Sequence, residues 1–197
     1  MVGGPRVVVV MGVAGSGKST VAARLANRLG VPFLEGDDLH SAANRVKMAS
    51  GLPLDDADRA AWLASVAEWI SGAARDRGGV VSCSALRRAY RDRLRRTGAD
   101  VWFVYLALDR AVAVERVTRR TDHFMPAGLL DSQYEALEPL RCDEPGVTVD
   151  ASGGPEQVLA AALRAVSGPD REDGAAALDG HDDGTGPGPF RAREGPG

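Results

Sequence analysis

Near its start the chain carries an unbroken apolar run, Val7-Val8-Val9-Val10-Met11, with no polar position to mark a solvent-facing side. A β-branched run of this length predicts a strand covered on both faces, as in a parallel sheet. Similar runs return at residues 80–83 and, longest of all, at 101–108 (VWFVYLAL), with shorter ones at 31–34 and 146–149. Between them the apolar positions shift to helical spacing. Trp62, Val66, Trp69, Ile70 and Ala73 mark one such face, which makes the tryptophans core residues and not ligand-stacking ones. Leu86, Tyr90 and Leu94 mark another, whose other sides carry Arg87, Arg88, Arg91, Arg93, Arg95 and Arg96. Further helices are predicted over 20–29, stopped at Leu29-Gly30, then over 40–49, from an N-cap at Asp109 to about Arg119, over 127–137 and over 155–166. Strands alternating with helices in this way predict a three-layer α/β/α fold, with a mostly parallel five-stranded sheet between two helical layers.

Composition narrows the class without changing the fold. A chain of 197 residues with 44% apolar and 26% charged residues suits one globular α/β domain. The net charge of −3 is unevenly spread, since residues 170–197 hold seven acidic and three basic residues, leaving the remainder near +1. That balance, with Asp92 inside the arginine-rich helix, argues against a nucleic-acid partner. The Gly/Asp/Pro-rich stretch after Ser167 has too few large apolar residues to offset its ordering entropy. The expected organisation is a domain over 1–167 and a disordered acidic tail over 168–197. Cys83 and Cys142 have no metal-ligand spacing and read as reduced thiols. The chain enters its first strand with no signal-peptide pattern and has no membrane-length apolar run, so a soluble, cytoplasmic protein without a membrane partner is expected.

The chemistry enters directly after the first strand. Gly12-x-x-x-x-Gly17-Lys18-Ser19 is a complete P-loop pattern between a strand and a helix. Gly12, Val13, Ala14, Gly15, Ser16, Gly17, Lys18, Ser19 and Thr20 are the expected ATP-binding residues. The glycines let backbone N–H groups curl round a polyphosphate, and the helix that follows presents its positive end to it. Lys18 supplies a point charge for the β- and γ-phosphates, and the Ser19 hydroxyl suits Mg²⁺. A P-loop alone does not separate kinases from GTPases, ATPases or nucleotide sensors. No NKxD-like guanine pattern occurs, however, and the basic segment Arg116-x-x-Arg119-Arg120-x-x-His123-Phe124-Met125-Pro126 reads as a mobile lid, about 116–133, over a transferring phosphoryl group. Asp37, in Glu35-Gly36-Asp37-Asp38 at the end of the second strand, is placed to orient an attacking hydroxyl. Together these features predict a compact small-molecule kinase.

From about Val8 to Val166 the chain resembles the gluconokinases, which phosphorylate D-gluconate from ATP. The resemblance rests on MGVAGSGKST at 11–20, EGDDLH at 35–40, NRVKMASGLPLDDADRAAWL at 44–63, CSALRRAYRD at 83–92 and HFMPAGLLDSQYEALE at 123–138, in that order. It implies a P-loop kinase fold of the nucleoside-monophosphate-kinase type, with ATP and Mg²⁺ as cofactors, gluconate as acceptor and a homodimer. By residue, it implies Lys18, Asp37 and Arg120 as catalytic, with Asp37 on the gluconate 6-hydroxyl and Arg120 on the γ-phosphate. Arg116 is expected over adenine. His40, Asn44 and Lys47, on one helical face, are expected to form a wall for substrate hydroxyls and carboxylate, with Arg87 as the main carboxylate partner and His123 and Gln133 closing over the sugar. Asp58 and Arg59 lie in a turn where an internal salt bridge and substrate contact are equally expected. Where the family usually has proline before the tryptophan, this chain has Ala61, and a proline there would be a first-position helix residue. A kinase of another hydroxy acid such as shikimate, and a nucleotide-binding regulator without phosphotransfer, remain as alternatives.

Overall fold

The computed structural model describes residues 5–119 and 127–167. The elements run β1 (Val7–Met11), α1 (Lys18–Leu29), β2 (Phe33–Glu35), a 3₁₀ turn (Gly36–Leu39), α2 (Ala42–Ala49), α3 (Asp56–Arg75), β3 (Gly79–Ser82), α4 (Arg88–Arg95), β4 (Val101–Ala107), α5 (Arg110–Thr118), α6 (Ala127–Ala136), β5 (Gly146–Asp150) and α7 (Pro155–Ser167). The chain divides into a unit over Met1–Val166 and another over Ser167–Gly197. The expected acidic tail lies outside the described residues.

Five parallel strands form one sheet in the order β2-β3-β1-β4-β5. β1 lies at its centre and explains its own sequence. Val8 and Val10 enter an apolar cluster with α1 and α7, while Val7, Val9 and Met11 enter a second one with α3 and α4. Each fully buried valine stabilises the fold by about 1.5–3 kcal/mol relative to exposure, so a polar residue anywhere in this strand would be costly. The predicted three layers follow from that two-sided burial. No described helix is long and apolar enough to cross a membrane.

Register places the site. Val10 is level with Ser82, Ser82 with Glu35, and Met11 with Tyr105. The loops after β1, β2 and β3 therefore emerge side by side at the carboxyl edge of the sheet, where ligands bind in open α/β folds.

Local signals are realised with small shifts. Gly30 closes α1 in the left-handed conformation (φ 66), and Asp109 caps α5 by accepting from the Ala111 amide. Pairing of β2 begins at Phe33, because Val31 still donates to the Ala26 carbonyl as the chain leaves the cap. Two expectations are corrected. Ala61 is the sixth residue of α3, which begins at Asp56 behind a capping box between Asp55 and Asp58, so it is not a first-position site. Arg91, expected on a solvent-facing side of α4, is fully buried.

Candidate active site

The P-loop depends on backbone that only glycine tolerates well. Gly12 has φ 143, and a Cβ there would sit 2.7 Å from the Leu106 carbonyl oxygen. Gly17 (φ 89) is the left-handed residue that launches α1. Ser16, buried, donates its hydroxyl to the Val13 carbonyl at 2.8 Å, and the Lys18 ammonium donates to the same carbonyl at 3.0 Å. Ser19 and Thr20 are exposed in the first turn of α1. Beside the loop lies a cavity of about 530 Å³, lined by Gly15, Gly17, Thr20, Arg116, Arg119 and Gly154 among others. A glycine backbone curl, a helix N-terminus and two guanidiniums round one cavity fit a nucleoside triphosphate.

Arg116, expected over adenine, lines this cavity with its guanidinium braced on the 151–153 backbone. It donates to Ala151 O (2.8 Å), Ser152 O (3.0 Å) and Gly153 O (3.3 Å). Arg119 pairs with Glu115 one helical turn away at 2.7 Å. Arg120 and His123 lie outside the described residues.

The acidic side of the site is built on the Gly36–Leu39 turn. Gly36 packs so tightly on the Ser82 carbonyl that no side chain would fit, and the Trp62 indole donates to the Gly36 carbonyl at 2.7 Å. This fixes the turn while leaving the Asp37 side chain 66% exposed. His40 is its opposite. It is buried, stacked on Trp62 with ring centroids 4.5 Å apart, and its Nε2 lies 3.9 Å from Asp37 Oδ1. Burial lowers the His40 pKa below its ordinary 6.5, with Arg59 and Arg45 helping and Asp37 opposing, so the imidazole is neutral at pH 7. Its Nδ1 has no hydrogen-bond partner among the described residues.

Glu35 accepts a hydrogen bond from the Ser82 hydroxyl. Next to it the buried Cys83 thiol is pushed up to about 12, chiefly by burial and then by Asp37, with Glu35 acting the same way and Lys18 against. The thiol is no nucleophile. The register of β1, β3 and β2 brings the P-loop and the Glu35-Gly36-Asp37 segment to this same end of the sheet.

The single helical face expected of His40, Asn44 and Lys47 is corrected: α2 begins at Ala42 behind the Ser41 cap, so His40 precedes the helix, and all three residues meet α3 instead. Asn44, buried, donates to the Asp58 carbonyl at 2.8 Å, and Lys47 pairs with the Asp58 carboxylate at 2.7 Å. The Lys47 hydrogen bond, with the Asp55 amide second, holds Asp58 below the usual carboxylate range. Arg87 is the N-cap residue of α4 and donates to both Asp56 oxygens at 3.0 and 3.1 Å. Arg59 and Arg87 both lie 5.8 Å from the Tyr90 ring centroid. The convergence of Arg59 and Tyr90 with Arg87 was not evident in the sequence, where Arg59 belonged only to a charged turn. Gln133, expected over the sugar, lies on the P-loop, its Oε1 accepting from the Ala14 amide at 2.7 Å.

This geometry has relatives. A family described as "AAA domain" matches residues 7–140. The chain is 47% identical over 161 residues to a gluconokinase of Gluconobacter oxydans, covering 81% of this chain and 90% of that protein. Among solved structures it is similar to a gluconokinase from Sinorhizobium meliloti 1021 (TM-score 0.76, 43% identity, covering 84% of this chain and 93% of that one). It is similar also to a sugar kinase from Janibacter sp. HTCC2649 (TM-score 0.78, 44% identity, covering 83% and 95%).

Proposed function

We infer the chemistry of this site from one premise: the chain belongs to the gluconokinase family and phosphorylates gluconate from ATP. The reading carries the γ-phosphate to the 6-hydroxyl, giving 6-phospho-D-gluconate and ADP. What supports it is one observation above the rest: the register of β1, β3 and β2 sets the P-loop and the Glu35-Gly36-Asp37 segment side by side at the carboxyl edge of the sheet.

In this reading the P-loop amides and Lys18 hold the triphosphate. Asp37 accepts a hydrogen bond from the 6-hydroxyl and aims its oxygen at the γ-phosphorus. As the new P–O bond forms and the bond to the β-phosphate oxygen breaks, the hydroxyl proton is released toward the Asp37 carboxylate. Positioning outweighs proton abstraction, because phosphoryl transfer passes through a loose transition state. Ser19 would hold the Mg²⁺ that accompanies the nucleotide, and the ion would offset the charge on the phosphates. Among the described residues no cluster of three or more His, Cys, Asp or Glu side chains could cage a metal, which suits an ion carried largely by phosphates.

At the acceptor end, Arg87 with Arg59 meets the gluconate carboxylate, which takes the place of Asp56 on Arg87. His40, whose buried Nδ1 has no hydrogen-bond partner among the described residues, belongs to the wall for substrate hydroxyls. Asn44 and Lys47 form the neighbouring wall through their hold on Asp58. Arg120 on the γ-phosphate and His123 over the sugar follow from the resemblance alone.

The test is ADP release by the purified full chain with gluconate, other aldonates, shikimate and nucleoside monophosphates. Gluconate should stimulate turnover well above the rest, with product phosphorus coupled to the C6 protons in NMR. Equal stimulation by all acceptors would overturn the substrate reading.

A further inference from the structure

We propose that Arg91, paired with Glu144, is a positioning residue that holds the 84–87 loop, and through it Arg87, in the conformation that receives the acid end of the acceptor. The proposal rests on the gluconate reading for the identity of that acceptor.

Arg91 does not touch the site. It sits in the first turn of α4, and neither its side chain nor that of Glu144 is exposed. Its Nε and Nη2 donate to the two Glu144 oxygens at 2.6 and 2.8 Å, a bidentate pair. Its Nη1 is turned to the backbone, with Ala85 O and Leu86 O at 3.2 Å and Glu138 O at 3.0 Å. One guanidinium thus joins the loop after β3 to the segment after α6. Two more bonds tie the same segments: Glu138 N donates to Leu86 O at 2.9 Å, and Arg88 N to Glu138 Oε2 at 2.7 Å.

The loop it holds has a conformation that does not maintain itself. Ala85 has φ 40, the positive-φ non-glycine residue among those described. In the left-handed region a Cβ crowds the following carbonyl oxygen, so surrounding bonds must impose that conformation. Arg91 supplies such a bond directly on the Ala85 carbonyl. The loop also borders both halves of the site, since Ser84 O accepts from the amide of the P-loop residue Gly12 at 3.4 Å, and Arg87 begins α4. A buried ion pair is poor evidence for stability, because an apolar replacement often does as well. What an apolar replacement cannot do is bind three carbonyls of two segments at once. A lysine cannot either, having a compact ammonium where arginine has a fork.

The experiment is steady-state kinetics on the full chain carrying Arg91→Lys, with and without Ala85→Gly. For Arg91→Lys we expect the gluconate KM to rise about tenfold with the ATP KM within about twofold, a selective loss of acceptor binding. Ala85→Gly in that background should recover most of the gluconate KM, because glycine adopts φ 40 unaided. A purely structural arginine would lower Tm and move both KM values together, with no rescue by glycine, and that result overturns the proposal. Should Arg91→Lys not fold, Glu144→Gln, which keeps the shape and removes the charge, carries the same selective-KM and rescue test. Failure of the substrate reading is separable, since it shows in the wild type as no preference for gluconate. The Arg91 test then runs with whichever acceptor is turned over.

Discussion

Asp37 Oδ1 and His40 Nε2 face each other at 3.9 Å across one turn, yet the aspartate side chain is 66% exposed and the histidine 5%. The pair joins a carboxylate free to meet a substrate to an imidazole locked against Trp62. Their consequences under mutation and pH should therefore differ.

Asp37→Asn removes the charge and keeps the shape. Because the side chain is largely in solvent, Tm should stay within a degree or two of wild type, while kcat falls by about a hundredfold or more. Calorimetry and ADP release check the two halves. Near-wild-type kcat would take Asp37 out of the mechanism.

His40 should make stability depend on pH in the opposite sense from a salt-bridged histidine. Its folded pKa is lowered below 6.5 by burial. Between the folded and unfolded values the unfolded chain binds more protons, so stability is fully present above about pH 6.5 and is lost as pH falls through the folded value. Arg59 and Arg45 deepen the effect and Asp37 resists it. Wild-type Tm should fall more steeply from about pH 7.5 to about pH 5.5 than that of His40→Gln, which has no such proton to bind. Parallel curves would count against it.

Gln133 places a neutral oxygen on Ala14 N–H at 2.7 Å, where P-loop amides ordinarily hold phosphate. In the ATP reading proposed above, nucleotide phosphates compete with it. Gln133→Ala should tighten binding of a non-hydrolysable ATP analogue by about two- to tenfold, the worth of one hydrogen bond of 0.5–1.5 kcal/mol. Gln133→Glu should weaken it by like-charge repulsion. Titration calorimetry reads both signs, and a rise in gluconate KM alone would return Gln133 to the sugar.

Arg116 spans three carbonyls of the 151–153 loop. Arg116→Lys cannot, and the loop that borders the nucleotide cavity should loosen. The ATP KM should rise severalfold with the gluconate KM nearly unchanged. Equal shifts in both would mean that the arginine supports the whole domain.

Much of this protein is local and therefore legible. The valine run of β1, the Gly30 and Asp109 caps, and the left-handed Gly17 that launches α1 are each read from neighbours within a few residues. Strand and helix order then imply a parallel sheet, and the parallel sheet puts the loop ends together. The sequence by itself thus determined the fold class, the P-loop and the candidate status of Asp37.

Tertiary structure decided which polar groups meet. Arg91 was one arginine among six on an apparently basic helix, and its burial depends on Glu144, 53 residues away. Gln133 reaches Ala14 across 119 residues, and Lys47 finds Asp58 across 11. Periodicity states which side of a helix is apolar, because that depends only on the helix's own geometry. It carries no information on the partner of a long polar side chain, which is set by how packed elements bring distant donors and acceptors within about 3 Å.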